Sequence, residues 1–165
     1  MAKYLGIDPG LTGGIALLTE SSPADTGSSL NLWVMPTTRW TKDRRMVDDV
    51  ELSNILRSNG PIDHAFIELV HAMPKQGACS MFSFGAGWGM VRGICAGLQI
   101  PYSLVTPQQW QKVMLAGHPK GSEKTVASGY WPAECFIARG CRKIHDGLLD
   151  AALIAEYGRR LIHHA

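Results

Sequence analysis

Short apolar runs broken by glycine, proline or polar clusters fill the first third of the chain, and helical periodicity dominates the rest. Residues Lys3–Asp8, Gly14–Thr19 and Leu30–Met35 read as three strands. The Gly-rich turn Pro9-Gly10-Leu11-Thr12-Gly13 joins the first two, and a polar loop at 21–27 joins the second and third. From Val47 to Leu56 the spacing of Val47, Val50, Ile55 and Leu56 predicts a helix, ended by Asn59-Gly60-Pro61. A strand at His64–Leu69, a helix from about Ser80 to Leu98 and a strand at Tyr102–Val105 follow. Thr106-Pro107-Gln108-Gln109 has the form of a helix start, with Thr as cap, Pro at the first position and Gln three residues on. That helix reaches Leu115, a short one spans Ser122–Tyr130, and a long one closes the chain from His145 to His163. An antiparallel meander followed by helix-connected parallel strands makes an α/β protein: a mixed five-stranded sheet flanked by helices, in one domain over residues 1–165.

Four carboxylates interrupt this pattern. Asp8 and Glu68 end the first and fourth strands, and Asp146 and Asp150 open the last helix one turn apart. Asp8 alone reads as turn chemistry in Asp8-Pro9-Gly10. Glu68 closes a run of apolar residues, where a carboxylate costs energy unless it is paired or bound; a salt bridge and a functional role compete there. Asp146 and Asp150 share a helical stripe with Leu153, Ile154, Tyr157 and Leu161, the stripe expected to face the sheet. The helix dipole favours an acid at Asp146 but does not explain two acids on a buried side. Ala151, Ala152 and Ala155 would let this helix start approach the sheet edge that carries Asp8 and Glu68. Hard oxygen donors so grouped suit Mg²⁺ or Mn²⁺, and two such ions support phosphodiester hydrolysis without a nucleophilic Ser or Cys. His145 adjoins the group as a second choice for proton transfer, pointing about 100° from Asp146 on an ideal helix.

The chain has 165 residues, 45% of them hydrophobic, which suffices for a folded core. A formal charge of +2 is too small to drive nucleic-acid binding in bulk, so any such contact must come from local clusters of Lys and Arg. The four cysteines, Cys79, Cys95, Cys135 and Cys141, have no zinc spacing and fit a reduced cytoplasm. No apolar run reaches membrane-span length and no secretion signal is visible, so a cytoplasmic protein without membrane contact is expected.

The acid-bearing segments also resemble a known family. Leu5-Gly6-Ile7-Asp8-Pro9-Gly10, Ile67-Glu68 and His145-Asp146-Gly147-Leu148-Leu149-Asp150-Ala151, with Ser80–Gly85 and Val105–Trp110 between them, are similar to RuvC-type Holliday junction resolvases of the RNase H-like superfamily, phage and prophage versions above all. The resemblance covers nearly the whole chain. It implies a homodimer that binds four-way DNA junctions and makes paired, metal-dependent nicks, with Asp8, Glu68, Asp146 and Asp150 as metal ligands and Mg²⁺ or Mn²⁺ as cofactor. The two acids of the last motif are four apart here, where many relatives space them by three. Other RNase H-like nucleases acting on flaps, forks or RNA–DNA hybrids, and a non-catalytic junction-binding module, remain alternatives. An actin-like ATPase would need a second lobe that 165 residues do not supply.

Candidate phosphate contacts cluster in three places. The segment Arg39-Trp40-Thr41-Lys42-Asp43-Arg44-Arg45 interleaves cations with an aromatic ring; Lys112, Lys120 and Lys124 surround a turn; Arg139, Arg142 and Lys143 precede the last helix. Taken singly, each reads as a solvated surface cation. The resemblance places Lys120 and Lys124 beside the DNA groove. After Glu68, Met73, Pro74, Lys75 and Phe82 offer a wedge for the open centre of a junction, although Phe82 and Phe84 each read alone as core residues. Gly85, Gly89, Gly93 and Gly97 recur every fourth residue along one helix, each costing about 1 kcal/mol relative to Ala. Close approach would offset that cost, either to the sheet or to the same helix of a second subunit; the resemblance implies the second.

Overall fold

Alternation along the first strand sets the layers. The computed structural model describes residues 1–20, 28–69 and 77–163. In it β1 (Lys3–Asp8) sends Leu5 and Ile7 into one core and Tyr4 into another, as the two-residue period of a strand requires. β2 (Gly14–Glu20) and β3 (Ser28–Val34) continue the sheet antiparallel from β1. A separate two-stranded ribbon follows, β4 (Thr37–Thr41) with β5 (Arg44–Val47). Then come α1 (Asp49–Ser58), β6 (His64–Glu68), α2 (Ala78–Gly97) and β7 (Tyr102–Val105). α3 (Pro107–Met114), α4 (Glu123–Tyr130) and α5 (Asp146–His163) complete the chain. β6 pairs parallel with both β1 and β7, giving the strand order β3-β2-β1-β6-β7. This is the mixed five-stranded α/β sheet that the sequence predicts.

Two cores lie on the two faces. Tyr4, Leu18 and Phe66 meet α5, which Trp110 of α3 and Val126 of α4 back from outside. On the opposite face Leu5, Ile7, Ile15 and Ile67 pack with Leu52 and Leu56 of α1 and Val91 and Cys95 of α2. Each fully buried aliphatic side chain here contributes about 1.5–3 kcal/mol relative to exposure. The capping box foreseen at Thr106 and Gln109 is complete, with both reciprocal bonds present.

Two expectations need correction. The β4–β5 ribbon is not legible in the sequence, because its residues are mostly exposed and its Lys42-Asp43 turn lacks the glycine that marks favoured hairpins. Val47 therefore belongs to β5, and α1 begins at Asp49, capped by Asp48 accepting from the Glu51 amide. The sheet-facing stripe of α5 is also rotated from the one foreseen. A Cβ on Gly6 would strike the backbone at Ala151 and Ala155, one on Gly147 would strike Thr12 and Gly13, and one on Gly158 would strike Phe66. Small residues thus press α5 onto the sheet, while Asp146 is exposed, Asp150 flanks the contact and Leu161 is 48% exposed. The sequence leaves open whether the stripe Gly85, Gly89, Gly93 and Gly97 faces the sheet or a second subunit; among the described residues a Cβ at any of them would meet open space, which favours the second.

Candidate active site

Strand register brings the first two acids together. Ile7 pairs with Ile67, so Asp8 and Glu68 end adjacent parallel strands one step further on. Both share parity with Tyr4 and Phe66 and so lie on the face that α5 covers. The carboxyl ends of parallel strands are where open α/β sheets hold ligands. The backbone contact of Gly147 with Thr12 and Gly13, and of Gly14 with Gly147, sets the start of α5 directly against the turn after Asp8. That contact delivers Asp150 to the strand ends.

Each carboxylate shows the cost of this arrangement. Burial pushes the Asp8 carboxyl above its ordinary value, partly offset by the Gly10 amide donating to Oδ1 at 3.1 Å and by the nearby His145 ring. Burial also raises Glu68; the Trp110 indole N–H, donating to Oε1 at 2.8 Å, opposes it, and the charge of Asp8 adds to it. The Trp88 indole donates to the Glu68 backbone carbonyl at 3.3 Å, fixing the strand end from the other face. Asp150 is the most perturbed: burial, then the charges of Asp8, Glu68, Glu123 and Asp146, raise it from 3.8 to about 7. Among the described residues the ion pairs join Glu20 and Glu156 to Arg159, Arg160 and His163, and none reaches these acids. The salt-bridge reading of Glu68 therefore finds no partner there.

Oxygen donors without a cationic partner match the chemistry of Mg²⁺ or Mn²⁺. Among the described residues no three acid, imidazole or thiol groups form a ready-made cage. Ligation would draw the carboxylates together, and their mutual repulsion is the energy an ion would relieve.

Sequence reasoning missed three contributors. Glu123, in the first turn of α4, adds its charge to Asp150. Trp110 and Trp88 hold Glu68; a Trp at a core position of a capped helix needs a partner for its N–H, and that signal was available for Trp110. His145, already the second choice for proton transfer, lies close enough to act on Asp8; its amide donates to the Phe136 carbonyl at 2.8 Å, and its Nδ1 is buried without a hydrogen-bond partner among the described residues.

The predicted DNA contacts fare unevenly. Lys112, Lys120, Lys124, Arg142 and Lys143 are all exposed, and Lys124 follows Glu123 at the α4 end nearest Asp150. Phe82 is 63% exposed rather than in the core, while Phe84 is half-buried. Lys75, with Met73 and Pro74, falls outside the described residues. Among the described residues no helix is long and apolar enough to cross a membrane.

No protein-family model and no curated protein matches the sequence. Solved structures do match. The Thermus thermophilus RuvC structure aligns over 96% of this chain and 96% of its own at 18% identity, with a TM-score of 0.61. T. thermophilus RuvC in complex with a Holliday junction substrate aligns over 98% and 96% at 17% identity, TM-score 0.67. The yeast mitochondrial Holliday junction resolvase Ydc2 aligns over 99% of this chain and 81% of its own at 17% identity, TM-score 0.63. The chain has the fold of the RuvC structures along nearly its whole length.

Proposed function

We propose that this protein is a metal-dependent endonuclease that resolves four-way DNA junctions. The observation that carries the reading is the strand register and the close backbone contact of Gly147 that bring Asp8, Glu68 and Asp150 to one end of the sheet, with no ion pair to them among the described residues. The fold shared with junction resolvases supports the choice of substrate. Asp8 and Glu68 would hold Mg²⁺ or Mn²⁺ from the rigid sheet, and Asp150 and Asp146 from α5. Such ions, when bound, activate water and stabilise the leaving oxygen of a phosphodiester. The Trp110 N–H keeps one oxygen of Glu68 in place and leaves the other for ligation. His145, whose ring acts on Asp8, is the second choice for proton transfer.

A homodimer is part of the proposal. Gly85, Gly89, Gly93 and Gly97 leave an open stripe along α2 that a second copy can approach closely. A two-fold dimer places two active sites on a two-fold substrate, so that paired symmetric nicks follow.

The test is cleavage of a labelled synthetic four-way junction in Mg²⁺ or Mn²⁺, beside linear duplex, flap and RNA–DNA hybrid, with Asp150→Asn as control. Symmetric nicks in the junction, lost in the variant while binding persists, are expected. Equal cutting of flaps or hybrids would remove the junction assignment and keep the metal chemistry. Tight binding with no cleavage in either metal would leave a non-catalytic binding module.

A further inference from the structure

The β4–β5 ribbon has features that fold stability does not explain. It lies outside the main sheet, and an isolated two-stranded ribbon is marginal in water. Arg39 and Arg45 sit directly opposite each other across it, a like-charge pairing that destabilises a ladder. Arg45 donates to the Thr37 carbonyl at 3.1 Å, but among the described residues no ion pair neutralises either guanidinium. With Lys42 and Arg44 the ribbon carries four cations against the single acid Asp43.

Its register also shifts between Arg39 and Thr41, which leaves Trp40 as an unpaired bulge residue. Bulges re-aim side chains. Here the Trp40 ring, 48% exposed, stacks on Phe82 at the start of α2, with centroids 5.8 Å apart and planes 26° from parallel. Two large rings thus stay in water side by side, amid positive charge that no ion pair offsets among the described residues. At its base the ribbon is held by buried Val47, whose Cγ2 would lie 3.0 Å from a Cβ on Gly87. A cleft of about 620 Å³ runs from Arg44, Arg45 and Ser83 to Gly10, Leu11 and Thr12, the turn that follows Asp8.

We propose that Trp40 and Phe82 form a platform on which an unpaired nucleotide of branched DNA stacks, its flanking phosphates held by Arg39, Arg44 and Arg45. Aromatic faces take any base, and guanidinium groups take the phosphates on either side. Phosphate would relieve the repulsion between Arg39 and Arg45. The cleft, lined by Asp43, Arg44 and Arg45 on the ribbon side, ends at the turn that follows Asp8. This inference rests on the junction-nuclease reading and adds the place where the branch point is opened.

The experiment measures binding of the whole protein, in EDTA, to a four-way junction and to linear duplex of the same sequence. Trp40→Ala and Phe82→Ala should each weaken junction binding roughly 5- to 100-fold, with duplex binding changed little and Trp40→Phe close to wild type. Arg39→Ala should weaken binding to both DNAs and lower the salt slope by about one. With 5-bromouracil at the branch point, ultraviolet crosslinking should map to Trp40 or Phe82. Unchanged junction affinity in both ring variants, or crosslinks confined to other segments, would overturn the platform and reduce the ring pair to a clasp between ribbon and α2. Wild-type protein that binds junction no better than duplex would instead overturn the functional reading beneath it.

Discussion

Replacing Asp150 with Asn should make the metal-free protein more stable, although Asp150 lies at the centre of the candidate site. The folded carboxyl titrates at about 7 against an ordinary 3.8, because burial and then the charges of Asp8, Glu68, Glu123 and Asp146 oppose its ionisation. Between those two values the folded protein keeps a proton that the unfolded chain has lost, so stability falls as pH rises through this window. A shift of roughly three units, at about 1.4 kcal/mol each, sets a ceiling of about 4 kcal/mol. Partial exposure and relaxation of neighbouring acids reduce that to about 1–2 kcal/mol. For a chain of this size each kcal/mol moves Tm by about 2–4 °C. Asp150→Asn removes the charge at nearly constant volume, so calorimetry in EDTA at pH 8 should show a Tm about 2–8 °C above wild type. At pH 4 the difference should nearly vanish, because wild-type Asp150 is then protonated. Added Mg²⁺ or Mn²⁺ should stabilise the wild type more than the variant and narrow the gap at pH 8. A variant less stable than wild type at pH 8, or one whose advantage does not change with pH, would refute the reasoning.

Other consequences are open to measurement. Trp110→Phe removes the N–H that Glu68 accepts; urea unfolding should show a loss of about 1–3 kcal/mol, and nuclease activity should fall more than junction binding does. Glu156 is only 4% exposed, and although burial alone would raise its carboxyl, bonds from Arg159 and Arg160 bring it below the ordinary value. Its contribution is therefore complete above the ordinary range and disappears as pH falls through the lowered folded value; Glu156→Gln should flatten this acid limb in a pH series of thermal melts. Gly147→Ala should destabilise by about 1–3 kcal/mol in chemical denaturation, because its Cβ would enter backbone at Thr12 and Gly13. Gly89→Ala has open space and should gain up to about 1 kcal/mol in helix stability, while sedimentation should show weaker self-association if α2 is the dimer contact.

Much of the scaffold is legible locally. β1, β6 and β7 announce themselves by apolar runs with turn residues at their ends, and Thr106 to Gln109 spell out a helix start that forms as written. The same local rules single out Glu68, Asp146 and Asp150 as acids where apolar residues belong, although Asp146 is exposed, and read Asp8 alone as a turn residue. They miss β4 and β5, whose side chains are mostly exposed and leave no alternating pattern to read. Phe82 taken alone reads as core, whereas the DNA-contact reading needs it exposed; it is exposed and stacks on Trp40.

The sequence by itself determined which acids are anomalous, because burial and periodicity are properties of neighbouring residues. Tertiary structure decided how they meet. Parallel register sets Asp8 beside Glu68, and backbone contact at Gly6, Gly14 and Gly147 lowers α5 onto the sheet until Asp150 feels four other carboxylates. Glu123 and the two indoles that hold Glu68 enter only through packing of α4, α3 and α2. Their relation to the site depends on distances across the fold, which no local pattern of residues encodes.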